Sequence, residues 1–349
     1  MRYLSRMYRI ALFLVGLLAA CGPSETTADM PTAETTLPET AEYAIVIHGG
    51  AGTILPEKIT PEKEAELRER LSAALDRGEK ILQNGGTSTE AVVATIQLLE
   101  DSPLFNAGVG AVYTHEYGHE LDASIMEGHD QGAGAVAGVR TIKSPIAAAL
   151  AVLRESPHVL LSGAGAEEFA ETQGLEMVDN SYFNTPHRRE SLDRLLEKDR
   201  QRIGLTQAES DYIFGTVGCV ALDKQGNIAA GTSTGGMTNK RYGRIGDSPV
   251  IGAGTYADNN TCGVSSTGHG EYFIRYAVAY DIAARMVYGG ATLAEAANAI
   301  VLEKLVEKKG SGGVIALDKY GNVAVPFNTP GMYRGYAKPG ERYVGMYKE

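Results

Sequence analysis

The run Tyr43–His48 is short and apolar and ends in His48-Gly49-Gly50-Ala51-Gly52, so it reads as a buried strand opening into a glycine-rich turn. The periodicity then changes. After Thr60-Pro61, an N-cap followed by proline at the first helical position, Leu67, Leu71, Ala74, Ile81 and Leu82 mark one helix face, and Asn84-Gly85-Gly86 stops it. Thr87 and Glu90 stand at capping-box spacing, which predicts a second helix through Glu100. From Asn106 to Gly138, glycine and small apolar residues alternate with β-formers and predict strands and turns. Pro145–Glu155 and Gly165–Gln173 have helical spacing. Residues 180–212 are polar, charged and interrupted by proline, which predicts a mobile connector.

A second set of elements follows. Gly215-Thr216 leads into the apolar strand Val217–Leu222. Residues 220–229, VALDKQGNIA, are echoed by residues 315–324, IALDKYGNVA; each reads as strand, Lys-x-Gly-Asn turn, strand. Two helices, near Glu271–Val287 and Leu293–Lys308, lie between the echoes. Grouped strands with paired helices predict sheets sandwiched between helical layers. Only one of the two hairpins is preceded by Gly-Thr.

The first residues are an address. Arg2, Arg6 and Arg9 precede the apolar run Ile10–Ala20, which ends Leu18-Ala19-Ala20-Cys21. A basic start, a short apolar run and small residues before the cut site make a secretory signal, too short to span a bilayer. Cys21 at the first mature position resembles the lipobox of bacterial lipoproteins, so the expectation is an exported protein, lipid-anchored at Cys21 and facing the periplasm. The expected division is a signal peptide over 1–20, a lipidated Cys and disordered tether over 21–42, and a folded body from 43 onward.

Composition narrows the partners. Thirty-two basic against forty-three acidic residues give a net charge of −11, and the pI is near 5.2, which excludes nucleic acid as the main ligand. Three cysteines make no disulfide framework, and the sequence leaves open whether Cys219 and Cys262 pair.

Two motifs carry candidate chemistry. His115-Glu116-Tyr117-Gly118-His119 has the zinc-peptidase form, but Val109–Thr114 before it reads as strand and Tyr-Gly is turn chemistry. The expectation is a hairpin turn with exposed histidines. Gly215-Thr216 is the stronger candidate. If that bond is cut, Thr216 gains an α-amine, with an ordinary pKa of about 7.7–8.0, beside its own hydroxyl, and so carries nucleophile and base together. Downstream, Thr232–Gly236 is a hydroxyl-rich cluster. Arg244 and Asp247 could clamp the carboxylate and ammonium of a zwitterion, and Ser266–Gly270 holds the parts of an oxyanion hole.

From Ala44 to near Tyr336 the chain resembles the plant-type asparaginase and isoaspartyl peptidase family of N-terminal-nucleophile hydrolases. The matching segments are His48–Gly52, Pro103–Gly108, Glu120–Ala123, Gly132–Gly138, Gly215–Gly218, Thr232–Lys240, Gly243–Pro249, Ser266–Glu271 and Pro326–Arg334. The resemblance implies an α+β, four-layer αββα sandwich, self-cleaved into an α chain over 43–215 and a β chain over 216–349. It implies Thr216 as nucleophile released after Gly215, Thr234 beside it, Thr267 and Gly268 as oxyanion hole, Arg244, Asp247 and Gly270 on the substrate, and Asn106 nearby. It also implies a dimer of cleaved αβ pairs and no cofactor for the chemistry, with a structural sodium on backbone carbonyls of the Leu99–Val109 loop. The expected activity is release of β-linked L-aspartyl residues from isoaspartyl peptides and hydrolysis of L-asparagine. A glycosylasparaginase-like amidase and an inactive amino-acid-binding lipoprotein are the alternatives.

Overall fold

The computed structural model describes residues 40–201 and 215–348; the leader, Cys21 and the tether up to residue 39 lie outside the described residues, as do residues 202–214. Strand β1 (Ala44–Gly52) is buried along its whole length. Helix α1 (Pro61–Gln83) starts where its sequence dictates: the Thr60 hydroxyl accepts from the Lys63 N–H at 3.3 Å and Pro61 supplies the first turn. Helix α2 (Ser88–Glu100) opens on the Thr87–Glu90 capping box, both hydrogen bonds of which are made. There follow β2 (Leu121–Glu127), β3 (Ala133–Val139), α3 (Pro145–Glu155), β4 (Leu160–Ser162) and α4 (Gly163–Thr172).

The stretch expected as a mobile connector is largely helical. Helix α5 (Pro186–Gln201) is strongly polar, yet it buries Leu192 and the Arg188 side chain, and those two contacts seat it against the body. A 3-10 turn over Asn180–Phe183 precedes it, and residues 202–212 of that stretch lie outside the described residues.

The second half supplies β5 (Val217–Leu222), β6 (Ile228–Thr234), β7 (Thr255–Ala257), β8 (Cys262–Gly268), α6 (Gly270–Arg275) and α7 (Val278–Gly289). The single helix expected over 271–287 is broken at Ala277, which takes φ 46° and redirects the chain. Helix α8 (Leu293–Asn298) runs through a π-helical segment, Ala299–Lys304, into α9 (Leu305–Glu307). Strands β9 (Gly312–Asp318), β10 (Val323–Ala324), β11 (Gly331–Lys338) and β12 (Glu341–Tyr347) complete the chain. The echoed hairpins share one turn geometry. Asp223 Oδ1 accepts from the Gln225 and Asn227 N–H groups, and Asp318 Oδ1 from those of Tyr320 and Asn322.

An eight-stranded sheet, ordered β12-β11-β1-β5-β6-β2-β3-β4, faces a four-stranded sheet, β10-β9-β8-β7. Strand alternation divides the apolar residues between two cores. Ile45, Ile47, Cys219, Ala221, Ala123 and Ile125 face α1–α3. Ala44, Val46, Val220, Leu222 and Ala230 face the second sheet's Ile315 and Leu317, while Val264, Val314 and Ala316 on that sheet's other face meet α7–α9. The result is a four-layer αββα sandwich. Cys219 and Cys262 are both buried free thiols, so the question the sequence left open is answered: they do not pair.

Candidate active site

Thr216 immediately precedes β5, on the edge of the space between the sheets, where the end of β6 and the end of β8 converge. It is buried, 7% exposed, and its hydroxyl donates to Thr234 Oγ1 at 3.1 Å. The Thr216 carbonyl meets His48 Nδ1 at 3.0 Å, and His48 Nε2 meets Ser265 Oγ at 3.0 Å. A carbonyl only accepts, so Nδ1 carries the imidazole proton and Nε2 accepts from Ser265. Burial pushes His48 down to about 3, which keeps the ring neutral. Ser265 Oγ continues to Thr232 Oγ1 at 2.7 Å and Thr232 to Thr255 Oγ1 at 2.6 Å, while Ser124 Oγ, 2.8 Å from Thr255, gives its proton to the Ser248 carbonyl at 2.6 Å. With the first donor fixed, each hydroxyl can give its proton to the next, so the buried chain is aligned on the Thr216 carbonyl.

The Gly215–Thr216 bond is gripped from both sides. The Gly215 carbonyl accepts the Asn106 N–H at 2.9 Å. Asn106 is itself fixed, its Nδ2 donating to Gly236 O at 2.6 Å and its Oδ1 accepting from Val112 N at 2.9 Å. Opposite it, the β1 register shifts between His48 and Gly50, and Gly50 takes φ +111° against Gly215. The Thr267 hydroxyl accepts from Ala51 N at 3.2 Å, which occupies one lone pair and leaves its proton to donate. Gly268 ends β8 opposite Gly312.

Beside this centre lies a buried charged cluster. Asp247 is 5% exposed and its Oδ2 has no hydrogen-bond partner. Burial pushes its carboxyl up to about 7. Gly270 packs so closely that a Cβ there would lie 2.8 Å from Asp247 Oδ1 and 2.9 Å from Arg244 Nη2. The Arg244 guanidinium is already engaged. Its Nε and Nη2 donate to the two Glu271 carboxylate oxygens at 2.9 and 2.8 Å. Asp122, paired in register with Thr234, also has an orphaned Oδ2, and burial raises its carboxyl. Two unpartnered buried carboxylate oxygens next to a guanidinium suit a small ligand that brings its own ammonium.

A model of the asparaginase family matches residues 41–345. The chain belongs to the asparaginase family. It is similar to the isoaspartyl peptidase of Escherichia coli, at 49% identity over 308 residues, 87% of this chain and 96% of that protein. A putative isoaspartyl peptidase/L-asparaginase of Dictyostelium discoideum is 47% identical over 321 residues, 84% of this chain and 92% of its own. An isoaspartyl peptidase/L-asparaginase of Mus musculus is 41% identical over 303 residues, 86% and 90% of the two chains.

Membership in the asparaginase family corrects the localisation drawn from the leader. The three relatives, matched over 84–87% of this chain, are named for peptidase and asparaginase activity, not as anchored lipoproteins. The exported, periplasm-facing, lipid-anchored assignment is therefore dropped.

The turn at His115–His119 is a turn, as its context implied, but its histidines are not both exposed. His119 is fully buried, holding Val112 O and Asn184 Oδ1 at 3.1 Å each and packing on Tyr113 with ring centroids 4.2 Å apart. His115 bonds Asn239 Oδ1 at 2.8 Å. Sequence reasoning assigned no role to His48, Asp122, Ser265 or Glu271. His48 carries the one visible signal, a polar residue closing an apolar strand at an inward-facing position.

Proposed function

We propose that this asparaginase-family chain cuts itself between Gly215 and Thr216 and then uses Thr216 to hydrolyse the β-amide of L-aspartyl units. In the first step Thr216 Oγ attacks the Gly215 carbonyl carbon and the C–N bond breaks, leaving an ester and a free α-amine. Water then splits the ester into a Gly215 carboxylate and the Thr216 hydroxyl. The Asn106 N–H at 2.9 Å from Gly215 O is placed where negative charge develops.

In turnover, Asp247 receives the substrate ammonium and Arg244 its α-carboxylate, with Glu271 holding the guanidinium until substrate arrives. Thr216 Oγ attacks the side-chain carbonyl, its amine takes the proton and passes it to the leaving nitrogen, and Thr267 and Gly268 stabilise the oxyanion. Thr234 orients the nucleophile. Water hydrolyses the β-aspartyl ester. The substrates are isoaspartyl peptides and L-asparagine; the glycosylasparaginase-like and inactive binding alternatives are not favoured. The observation that carries this reading is the buried Thr216–Thr234 hydroxyl pair at 3.1 Å, one bond beyond a clamped glycine carbonyl. The test is Thr216→Ala, which should leave the chain whole and inactive; turnover by that variant contradicts the reading.

The chemistry needs no cofactor. A structural sodium fits the Leu99–Val109 loop. A Cβ on Gly110 would lie 2.9 Å from the Ser102 carbonyl oxygen and even closer to that of Phe105, so neutral oxygens crowd the loop's interior, the donor type a hard cation takes. Such an ion would stiffen the segment that carries Asn106. Pairing of two cleaved units is supported by the outward Tyr280, Val287, Tyr288, Leu302 and Val306 of the α7–α9 layer.

A further inference from the structure

A cleft of about 510 Å³ opens beside Gly215, on the side away from the space between the sheets. Its walls include Lys58, Lys63, Asn106, His187, Arg188 and Gly215, and none of its lining residues is an aspartate or glutamate. Lys63 turns toward Glu66 at its outer rim, at 2.8 Å. Arg188 is different. It is only 6% exposed, and its single hydrogen bond among the described residues runs from Nε to Gly110 O at 2.8 Å. Its Nη groups have no carboxylate partner among the described residues. A buried charge is normally paired, because desolvation without a partner is costly. Burial pushes the guanidinium down to about 10, a shift that the neighbouring Tyr333 only partly opposes. The first turn of α5, which carries Arg188, adds the positive end of its dipole to the same space.

We infer that this cleft is a carboxylate-binding site centred on Arg188. Because Gly215 forms part of its wall, the site begins one peptide bond from Thr216. Two carboxylates arise at that distance. One is the C-terminal carboxylate of the peptide released from an isoaspartyl substrate, a source that rests on the function proposed above. The other is the Gly215 carboxylate left by self-cleavage. Either would accept the Arg188 fork bidentately.

The test uses the cleaved enzyme as wild type, Arg188→Gln and Arg188→Lys, with β-aspartyl-leucine, its C-terminal amide and L-asparagine as substrates. In parallel the α-chain end is challenged with carboxypeptidase. If the leaving peptide fills the site, the wild type favours free acid over amide by about tenfold or more in kcat/KM. R188Q then abolishes the preference, R188K keeps part of it, and L-asparagine turnover stays within about twofold throughout. If Gly215 fills the site, acid and amide are cleaved alike, while Gly215 resists trimming in the wild type and is trimmed in R188Q. Equal cleavage of acid and amide, together with free trimming of the wild-type α chain, overturns the site. Loss of L-asparagine turnover in the wild type would instead overturn the proposed function, and the trimming arm would still judge the cleft. The wild-type comparisons need no variant, so a misfolded R188Q does not remove the test.

Discussion

Gly50 lies against Gly215 so closely that a methyl group on Gly50 would sit 2.5 Å from the Gly215 Cα. Gly50 also takes φ +111°, a conformation an L side chain rarely adopts. Gly50→Ala should therefore displace the Gly215–Thr216 bond from Asn106 and slow self-cleavage by orders of magnitude. A denaturing gel over time reads this directly: a variant cleaving at the wild-type rate would show that the contact does not position the bond.

His48 ties the Thr216 carbonyl to the inter-sheet hydroxyl chain. His48→Leu would leave that carbonyl and the Ser265 hydroxyl buried without their partner. The expected cost is about 1–3 kcal/mol for each stranded group. Urea unfolding should reveal this loss, and surviving folded enzyme should show a reduced kcat with little change in KM.

Arg244→Ala should act chiefly on capture. Losing a charge-assisted contact to the substrate carboxylate corresponds to a rise in KM of roughly 10–100-fold. Steady-state kinetics with L-asparagine would check it, and an unchanged KM would remove Arg244 from the clamp.

Asp247 makes two opposite pH predictions. Its carboxyl is raised to about 7 by burial, against an ordinary value of 3.8. The folded state thus holds its proton more tightly than the unfolded chain does. The stability this gives is full below the unfolded value and is lost as pH rises through 7. Asp247→Asn should accordingly raise the melting temperature by a few degrees above neutrality and change little near pH 4. Capture runs the other way. A substrate ammonium needs the ionised carboxylate, so wild-type KM should rise as pH falls below about 7. Melting curves and KM across that range measure both.

The fold was legible where local chemistry decides the structure. Thr60-Pro61 and Thr87–Glu90 carry their own helix starts, and the two Lys-x-Gly-Asn turns form where the repeated pattern puts them, each closed by the aspartate before it, Asp223 or Asp318. It was not legible where long-range contact decides. Helix α5 reads as connector because its polarity hides two inward side chains, and the break at Ala277 has no local signal. The same division holds at the site. Thr216 and Thr234 stand on neighbouring strands that a hairpin pattern announces. His48, Asp122 and Glu271 reach their partners from β1, β2 and α6, through sheet register and packing that no short window contains.

The central claim is that a new amine is created on the residue whose hydroxyl attacks. N-terminal sequencing of the purified active protein tests it most directly. The account predicts a chain beginning Thr216-Val217-Gly218-Cys219, absent from Thr216→Ala. A fully active protein in which residues 215 and 216 remain joined would contradict it.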